Sequence, residues 1–85
     1  MDPYKVILHP LISEKAVSLM ERDNVLIFVV SRNAKKNEIK KAIEKLYEVE
    51  VESINTTIVR GRKKAFIKLK EEYLADEVAT KIGVF

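Results

Sequence analysis

The stretch EVESINTTIVRGRKKAFIKLK, residues 50–70, decides the fold of this chain. Its second half alternates, with Ala65, Ile67 and Leu69 on one face, which is typical of a strand buried on that face. Its first half, residues 50–59, is also strand-like, but its apolar phase slips near Ser53, which predicts a bulge or bend. The two runs predict a hairpin whose turn is Arg60-Gly61-Arg62.

The segment before the hairpin predicts a helix over roughly residues 35–48. Five apolar residues recur there at the spacing of one helix face, which is the strongest helical pattern in the chain. They are Ile39, Ala42, Ile43, Leu46 and Tyr47.

The remaining elements follow from shorter patterns. Val25–Val30 is apolar throughout and predicts a central strand covered on both faces. The run Val6-Ile7-Leu8, closed by Pro10, predicts a short first strand, and Ser13 is a good N-cap for a helix that ends near Asp23-Asn24. Leu74, Val78 and Ile82 space a last helix that Gly83 stops.

The predicted order is therefore β-α-β-α-β-β-α, which favours an α+β fold with a mostly antiparallel sheet packed against helices. We expect residues 1–85 to form a single small domain. The residues expected in the core are those on apolar helix arcs or inward strand faces: Val17, Met20, Leu26, Phe28, Ile39, Ile43, Leu46, Ile54, Ile67, Leu69 and Val78.

Composition excludes several classes of protein. The 85 residues include no cysteine, so we expect neither disulfides nor thiolate metal sites. No apolar stretch approaches the roughly 18–20 residues that span a bilayer, and the N-terminus does not resemble a signal peptide. We therefore expect a cytoplasmic protein that is not inserted in a membrane.

Charge is arranged in blocks. Residues 60–70 hold six basic residues and no acidic one, and residues 32–45 hold six basic and two acidic residues. Residues 71–77 hold four acidic residues and no basic one. This clustering favours a polyanion on the basic surface and another partner on the acidic one, although a solvated surface of mixed charge has the same composition.

Enzyme chemistry finds little support. His9 is the single histidine, and no residues show the spacing of a catalytic, metal-binding or phosphate-cradling motif. We expect no cofactor and no small-molecule substrate. Two alternatives remain open: a hydrolase or transferase, for which His9 would have to be essential, and a free-standing α+β regulatory module that binds a small ligand without RNA.

The basic hairpin is the best candidate for a nucleic-acid site. Its cations are Arg60, Arg62, Lys63, Lys64, Lys68 and Lys70. Phe66 stands in their row, and a ring among lysines suits stacking on an unpaired base beside phosphate contacts. The alternative is that a helix covers Phe66 while the lysines extend past it.

The middle helix adds Lys36 and Lys40 at one edge of its apolar stripe, either as phosphate contacts or as a solvated surface. Glu44 and Glu48 stand one turn apart near the helix C-terminus, where the helix dipole disfavours negative charge. An acidic helix end on a basic protein is compatible with a protein-docking surface.

Several short motifs now resemble one family along the whole chain: residues 9–10, 13–16, 38–40, 46–49 and 54–56. The most specific is Lys63-Lys64-Ala65-Phe66-Ile67-Lys68-Leu69-Lys70, with Val78 at the expected spacing. Together they resemble large-subunit ribosomal protein twenty-three, the universal family at the mouth of the peptide exit tunnel, in its short archaeal or eukaryotic-like form.

The resemblance implies binding of large-subunit rRNA, contact with neighbouring large-subunit proteins, and a docking site for the signal recognition particle and other nascent-chain factors. By matching motifs, Glu14, Tyr47 and Glu48 fall where the family's exposed docking residues lie. We expect His9 and Lys15, which lie in the first two motifs, to contact rRNA.

Two features depart from the family pattern. Lys35 stands where the family has Ser or Thr, so Glu38 lacks the hydroxyl partner of a capping box. Bacterial members extend the hairpin into the tunnel, and the turn Arg60-Gly61-Arg62 is too short for that.

Overall fold

The computed structural model describes residues 2–82. Its elements, in chain order, are α1 (Pro3–Val6), β1 (Ile7–Pro10), α2 (Glu14–Asp23), β2 (Val25–Val30), α3 (Lys36–Tyr47), β3 (Val51–Val59), β4 (Arg62–Leu69) and α4 (Ala75–Ile82). The strands form one sheet in the order β1-β2-β4-β3, and every pairing is antiparallel. The predicted α+β class with an antiparallel sheet is confirmed.

The predicted hairpin is present with a tighter turn. Val59 pairs with Arg62, so the turn consists of Arg60 and Gly61 alone, and Arg62 is already the first residue of β4. Both turn residues have positive φ, 52° and 78°, which defines a type I′ turn whose twist matches that of the flanking strands. The predicted slip is confirmed, because the register shifts between Val51 and Ser53.

The N-terminus begins with a helical turn that the sequence prediction did not include. Pro3 occupies the first turn of α1, and the Asp2 side chain accepts a hydrogen bond from the backbone N–H of Tyr4 at 3.0 Å. Asp followed by Pro is a helix-start signal. The turn takes up Val6, so the first strand begins at Ile7.

Helix α2 begins and ends as predicted. The Ser13 hydroxyl accepts a hydrogen bond from the N–H of Ala16 at 3.1 Å, and Asn24 ends the helix in the left-handed conformation. The Asn24 side chain also donates to the carbonyl of Tyr73 at 2.8 Å and accepts from the N–H of Ala75 at 2.7 Å. A single amide therefore joins the end of α2 to the start of α4.

Helix α4 differs in detail from its prediction. Leu74, expected on its apolar face, precedes the helix and is exposed. Its buried residues are Ala75, Val78 and Ala79. Gly83, predicted to stop the helix, lies outside the described residues.

The main core cluster lies on the face of the sheet that carries Phe28, Ala65 and Ile67. Each predicted core residue is either buried in the core cluster or, as with Val17, Leu46 and Ile54, half-buried against it. Strand β2 is central and buried on both faces as predicted: Leu26, Phe28 and Val30 join the core, whereas Ile27 and Val29 alternate onto the other face. None of the helices within residues 2–82 has the length and apolarity needed to cross a membrane.

Candidate nucleic-acid interface

The face of β4 opposite the main core cluster carries the basic row. Lys64, Phe66 and Lys68 alternate with the buried core residues of β4, so they share the opposite face of the sheet. In register, Phe66 lies between Ile27 of β2 and Asn55 of β3. The strand thus places an aromatic ring at the middle of a sheet face with a cation on either side along the chain.

Phe66 is half-buried, and among the described residues it belongs neither to the core cluster nor to the side chains packed against it. The Phe66 face is partly covered beside the ring, because its β2 neighbour Ile27 is 5% exposed and lines a small cavity with Leu11, Ile12 and Ala16. Cover on this face therefore reaches the β2 side of Phe66, and the ring itself stays half-exposed. The geometry favours a ring that can stack with a flat partner from outside.

Polar residues of β3 extend this face, although they were not among the residues predicted to bind RNA. Asn55 pairs with Phe66 and Thr57 pairs with Lys64, and both side chains are exposed. An amide and a hydroxyl beside the ring can hydrogen-bond base edges or ribose hydroxyls. Strict alternation from the inward Ile54 would have indicated them.

Arg60 in the hairpin turn and Arg62 at the start of β4 add two exposed cations at one end of the face. Arg60, Arg62 and Lys64 line a shallow cleft of about 590 Å³ together with Leu11 and Val59. The cleft is open to solvent and combines guanidinium and ammonium groups with an apolar floor. Groups of this kind can neutralise phosphates without being held in the core.

Lys63 does not share this arrangement, although its sequence context is the same. It pairs with Val30 on the helix side of the sheet, and its Nζ donates a hydrogen bond to the backbone carbonyl of Ala34. Lys63 is half-buried and attaches the hairpin to the loop between β2 and α3. Its predicted part in RNA binding stays a prediction, and this contact gives it a structural role.

The contact of Lys63 brings the start of α3 to the hairpin end of the domain. Lys36, the first residue of α3, is exposed at this end, whereas Lys40 is exposed one turn further along the helix layer. The structure therefore groups Lys36 with the turn cations. It places Lys40 on the layer opposite the row of Lys64, Phe66 and Lys68.

The start of α3 carries half of a capping box, as the missing hydroxyl predicts. The Glu38 carboxylate accepts a hydrogen bond from the N–H of Lys35 at 3.0 Å. The Lys35 ammonium has no lone pair with which to return the bond. The Asn37 side chain accepts from the N–H of Glu38 instead, also at 3.0 Å.

His9 and Lys15 are both exposed. His9 pairs with Val29, which places it on the same side of the sheet as Phe66, and its ring nitrogen Nδ1 lies 3.1 Å from the Pro10 carbonyl. Within residues 2–82 no acid or nucleophile is hydrogen-bonded to His9, and no group of potential ligands could hold a metal ion. The surroundings of His9 suit a surface contact rather than proton transfer.

The arginines of the hairpin and the acidic residues that follow β4 lie at opposite ends of the sheet. Strand β4 runs from Arg62 at the turn to Leu69, a rise of roughly 23 Å at about 3.3 Å per residue. Glu71 and Glu72 follow Leu69, and they line a surface depression together with Glu52 and Lys70. The domain is therefore basic at the hairpin end and acidic at the other.

The predicted docking residues divide between two helix ends. Glu14 is exposed in the first turn of α2, and Glu48 is exposed at the end of α3 in the left-handed conformation, with φ of 54°. The Tyr47 ring is half-buried and stacks on Phe28 with ring centroids 5.9 Å apart. Burial, with a smaller contribution from Tyr4, raises the pKa of the Tyr47 hydroxyl above its usual value.

Glu44, which sequence reasoning grouped with Glu48, has a structural role. Its carboxylate accepts a hydrogen bond from the backbone N–H of Val51 at 2.9 Å, which fastens the end of α3 to the start of β3. This contact accounts for the acidic residue near the helix C-terminus, so no external binding partner is needed to explain Glu44. Glu48 has no comparable hydrogen bond among the described residues and stays a docking candidate.

Comparison with known proteins identifies the family of this chain. Residues 5–81 match the family model described as Ribosomal protein L23. Proteins described as Large ribosomal subunit protein uL23 are 50% identical in Methanobrevibacter smithii, 49% in Methanococcus vannielii and 46% in Methanococcus aeolicus. Each alignment spans 86 positions and covers 100% of both chains, so the short archaeal form expected from the motifs is confirmed. The chain belongs to the ribosomal protein L23 family.

Proposed function

We propose that this chain is an RNA-binding domain that attaches to large-subunit rRNA through the outer face of β4 and the hairpin turn. Its family membership makes it a structural constituent of the large ribosomal subunit, a cytoplasmic particle. The observation that supports the binding face is the row of Lys64, Phe66 and Lys68, which share one face of β4 and are all at least partly exposed.

The chemistry of this face suits RNA that exposes an unpaired base better than a fully paired duplex. Lys64 and Lys68 can contact phosphates on both sides of Phe66, and the ring can stack on one unpaired base. Arg60, Arg62 and Lys36 extend the positive potential past the end of the sheet. Phosphate contacts then supply most of the affinity, and the ring favours a site with an exposed base.

The described residues give little support to the alternative of a small-ligand module. The apolar cavity enclosed by α2, α4 and β2, lined by Val17, Met20 and Ala79, measures about 30 Å³. Ligand pockets typically measure about 300–1,000 Å³. The larger depressions, such as that between Arg60 and Leu11, are open surface clefts. The alternative of a hydrolase or transferase also has little support. The relatives are described as ribosomal proteins, and the surroundings of His9 suggest no reaction.

Glu14, Tyr47 and Glu48 form the second part of the proposal. We infer that these exposed or half-exposed groups on helix ends contact the signal recognition particle and other nascent-chain factors. The acidic end of the sheet, with Glu71 and Glu72, is a surface for neighbouring large-subunit proteins. Both assignments rest on exposure, charge and the family resemblance.

Incorporation into the particle tests the proposal. Purified chain is mixed with large subunits reconstituted without it, and the particles are sedimented through a moderate salt wash. We expect the wild-type chain to co-sediment, and a variant carrying Lys64→Ala, Phe66→Ala and Lys68→Ala to be lost in the wash. Full retention of the triple variant, with unchanged circular dichroism, would place the RNA site elsewhere.

A further inference from the structure

Strand β3 is an edge of the sheet, and it lacks the features that usually protect an edge. It pairs with β4 on one side, and none of the described backbone hydrogen bonds ties the opposite edge of residues 54–58 to another element. Residues 53–59 read Ser-Ile-Asn-Thr-Thr-Ile-Val, without a charge, a Pro or a Gly. Natural edges usually carry lysine, proline or a bulge, and here the bulge lies at the very start of the strand.

The turn decides which backbone groups are free. In a two-residue turn, the carbonyl of Val59 accepts from the N–H of Arg62, so these two residues are a hydrogen-bonded pair. Hydrogen-bonded and non-bonded pairs alternate along an antiparallel ladder, so the backbone groups of Ile54, Thr56 and Ile58 point away from β4. These three residues present free N–H and C=O groups along the outer edge.

We propose that this edge pairs with the same edge of a second copy of the chain, through a two-fold axis at Thr56. In that register, Thr56 lies opposite Thr56 of the second copy and Ile54 lies opposite Ile58. Every free group then finds a partner, giving about six backbone hydrogen bonds.

Side chains agree with this register. Ile54, Thr56 and Ile58 share the helix-side face, so the pairing covers Ile58, which is 53% exposed in the single chain. Charges agree as well, because Glu52 at one end of the paired segment falls opposite Arg60 of the second copy. A shift of the axis by one residue places Ile54 opposite Thr56 and Glu52 opposite Ile58, which loses both the apolar and the ionic match.

The paired segment is short, so the dimer is a weak one. Contacts limited to one strand fall below the roughly 1,200 Å² that stable complexes bury, which predicts dissociation in the micromolar to millimolar range. Pairing through β3 leaves the face of Lys64, Phe66 and Lys68 open. The edge pairing therefore belongs to the free chain at high concentration and shields its uncharged strand from irregular aggregation.

Sedimentation velocity of the full chain over a concentration series tests the proposal. We expect a monomer–dimer equilibrium that Ile58→Lys shifts at least tenfold toward monomer, because it places an ammonium opposite Ile54 at both ends. Leu8→Lys is the matched control: Leu8 is 55% exposed on the other edge strand, β1, and the change should leave the dimer intact. A wild-type chain that stays monomeric up to about 1 mM, or equal effects of both substitutions, would overturn the proposal.

Charge reversal tests the register independently of folding. Glu52→Arg or Arg60→Glu alone should weaken the dimer, and the two changes together should restore it. Because the chain has no cysteine, Thr56→Cys also supplies a single thiol at the axis, where two Cα atoms about 5.5 Å apart permit a disulfide. Mild oxidation should link Thr56→Cys into dimers and leave Leu8→Cys monomeric; linking of both to the same extent would contradict pairing at β3.

Discussion

Lys63 and Ala34, 29 residues apart in the chain, are joined by a hydrogen bond from the lysine Nζ to the alanine carbonyl. Ala34 is fully buried and precedes Lys35, the N-cap of α3. The bond therefore fixes the start of α3 against the hairpin. This bond gives Lys63 a structural role, whereas the adjacent Lys64 lies on the outer face of the sheet.

This difference between Lys63 and Lys64 is directly testable. Lys63→Met keeps the length of the side chain but leaves the Ala34 carbonyl without its donor, so it should lower the free energy of unfolding by about 1–2 kcal/mol. Lys64→Met should change that free energy by less than about 0.5 kcal/mol, yet weaken RNA binding. Urea unfolding and a filter-binding titration of both variants check the two effects. Equal stability of the two variants would remove the structural role of Lys63.

Asn24 connects α2, β4 and α4 through one side chain. Asn24→Asp keeps an acceptor for the N–H of Ala75 but replaces the donor to the Tyr73 carbonyl with a second acceptor. We expect a loss of about 2–3 kcal/mol, measured by thermal or urea unfolding. Asn33→Asp, at an exposed position in the β2–α3 loop, makes the same chemical change and should cost less than about 0.5 kcal/mol. Similar losses in the two variants would mean that the Asn24 bonds contribute nothing specific.

The raised pKa of the Tyr47 hydroxyl predicts a dependence of stability on alkaline pH. Below the usual tyrosine pKa of about 10, the folded and unfolded states both keep the proton. Above it, the unfolded chain loses the proton first, so stability falls as pH rises through the folded pKa. Tyr47→Phe should therefore lose less stability than the wild-type chain between pH 8 and pH 11. Parallel losses in the two proteins would show that the burial of Tyr47 does not affect its ionisation.

The docking surface predicts a separation of RNA binding from factor recruitment. Glu14→Lys combined with Glu48→Lys should leave rRNA binding intact or slightly stronger, because positive charge is added, while weakening recruitment of the signal recognition particle to purified subunits. Glu21→Lys combined with Asp23→Lys makes the same charge change at exposed positions that are assigned to no partner, and is the control. Recruitment that falls equally in both double variants would reflect net charge rather than the docking residues.

Local patterns predicted the elements well because local physics determines them. Alternation at Ala65, Ile67 and Leu69 indicates the inward face of β4, and the hydroxyl of Ser13 indicates the start of α2; both are visible in a few residues of sequence. The phase slip that indicated the bulge at Ser53 is of the same kind.

Contacts between distant residues could not be predicted in this way. The hydrogen-bond partners of Asn24 lie 45 to 51 residues away, and the sequence around Asn24 does not predict them. Lys63 and Lys64 are chemically identical, and only the pairing of Lys63 with Val30 separates their roles. Phe66 was ambiguous because alternation tells which side of the strand it occupies but not how far neighbouring elements cover that side.

The salt dependence of binding to large-subunit rRNA tests the central claim most directly. If about four phosphates are neutralised, log K for the wild-type chain should fall against log salt with a slope of roughly −3 to −4 on a duplex scale, and less steeply for single strands. A variant carrying Arg60→Ala, Arg62→Ala and Lys64→Ala, which spares the structural Lys63, should bind more weakly and flatten that slope by about 2 to 3, with unchanged circular dichroism. Affinity and slope equal to those of the wild-type chain would contradict the assignment of the hairpin and the outer face of β4 as the RNA site.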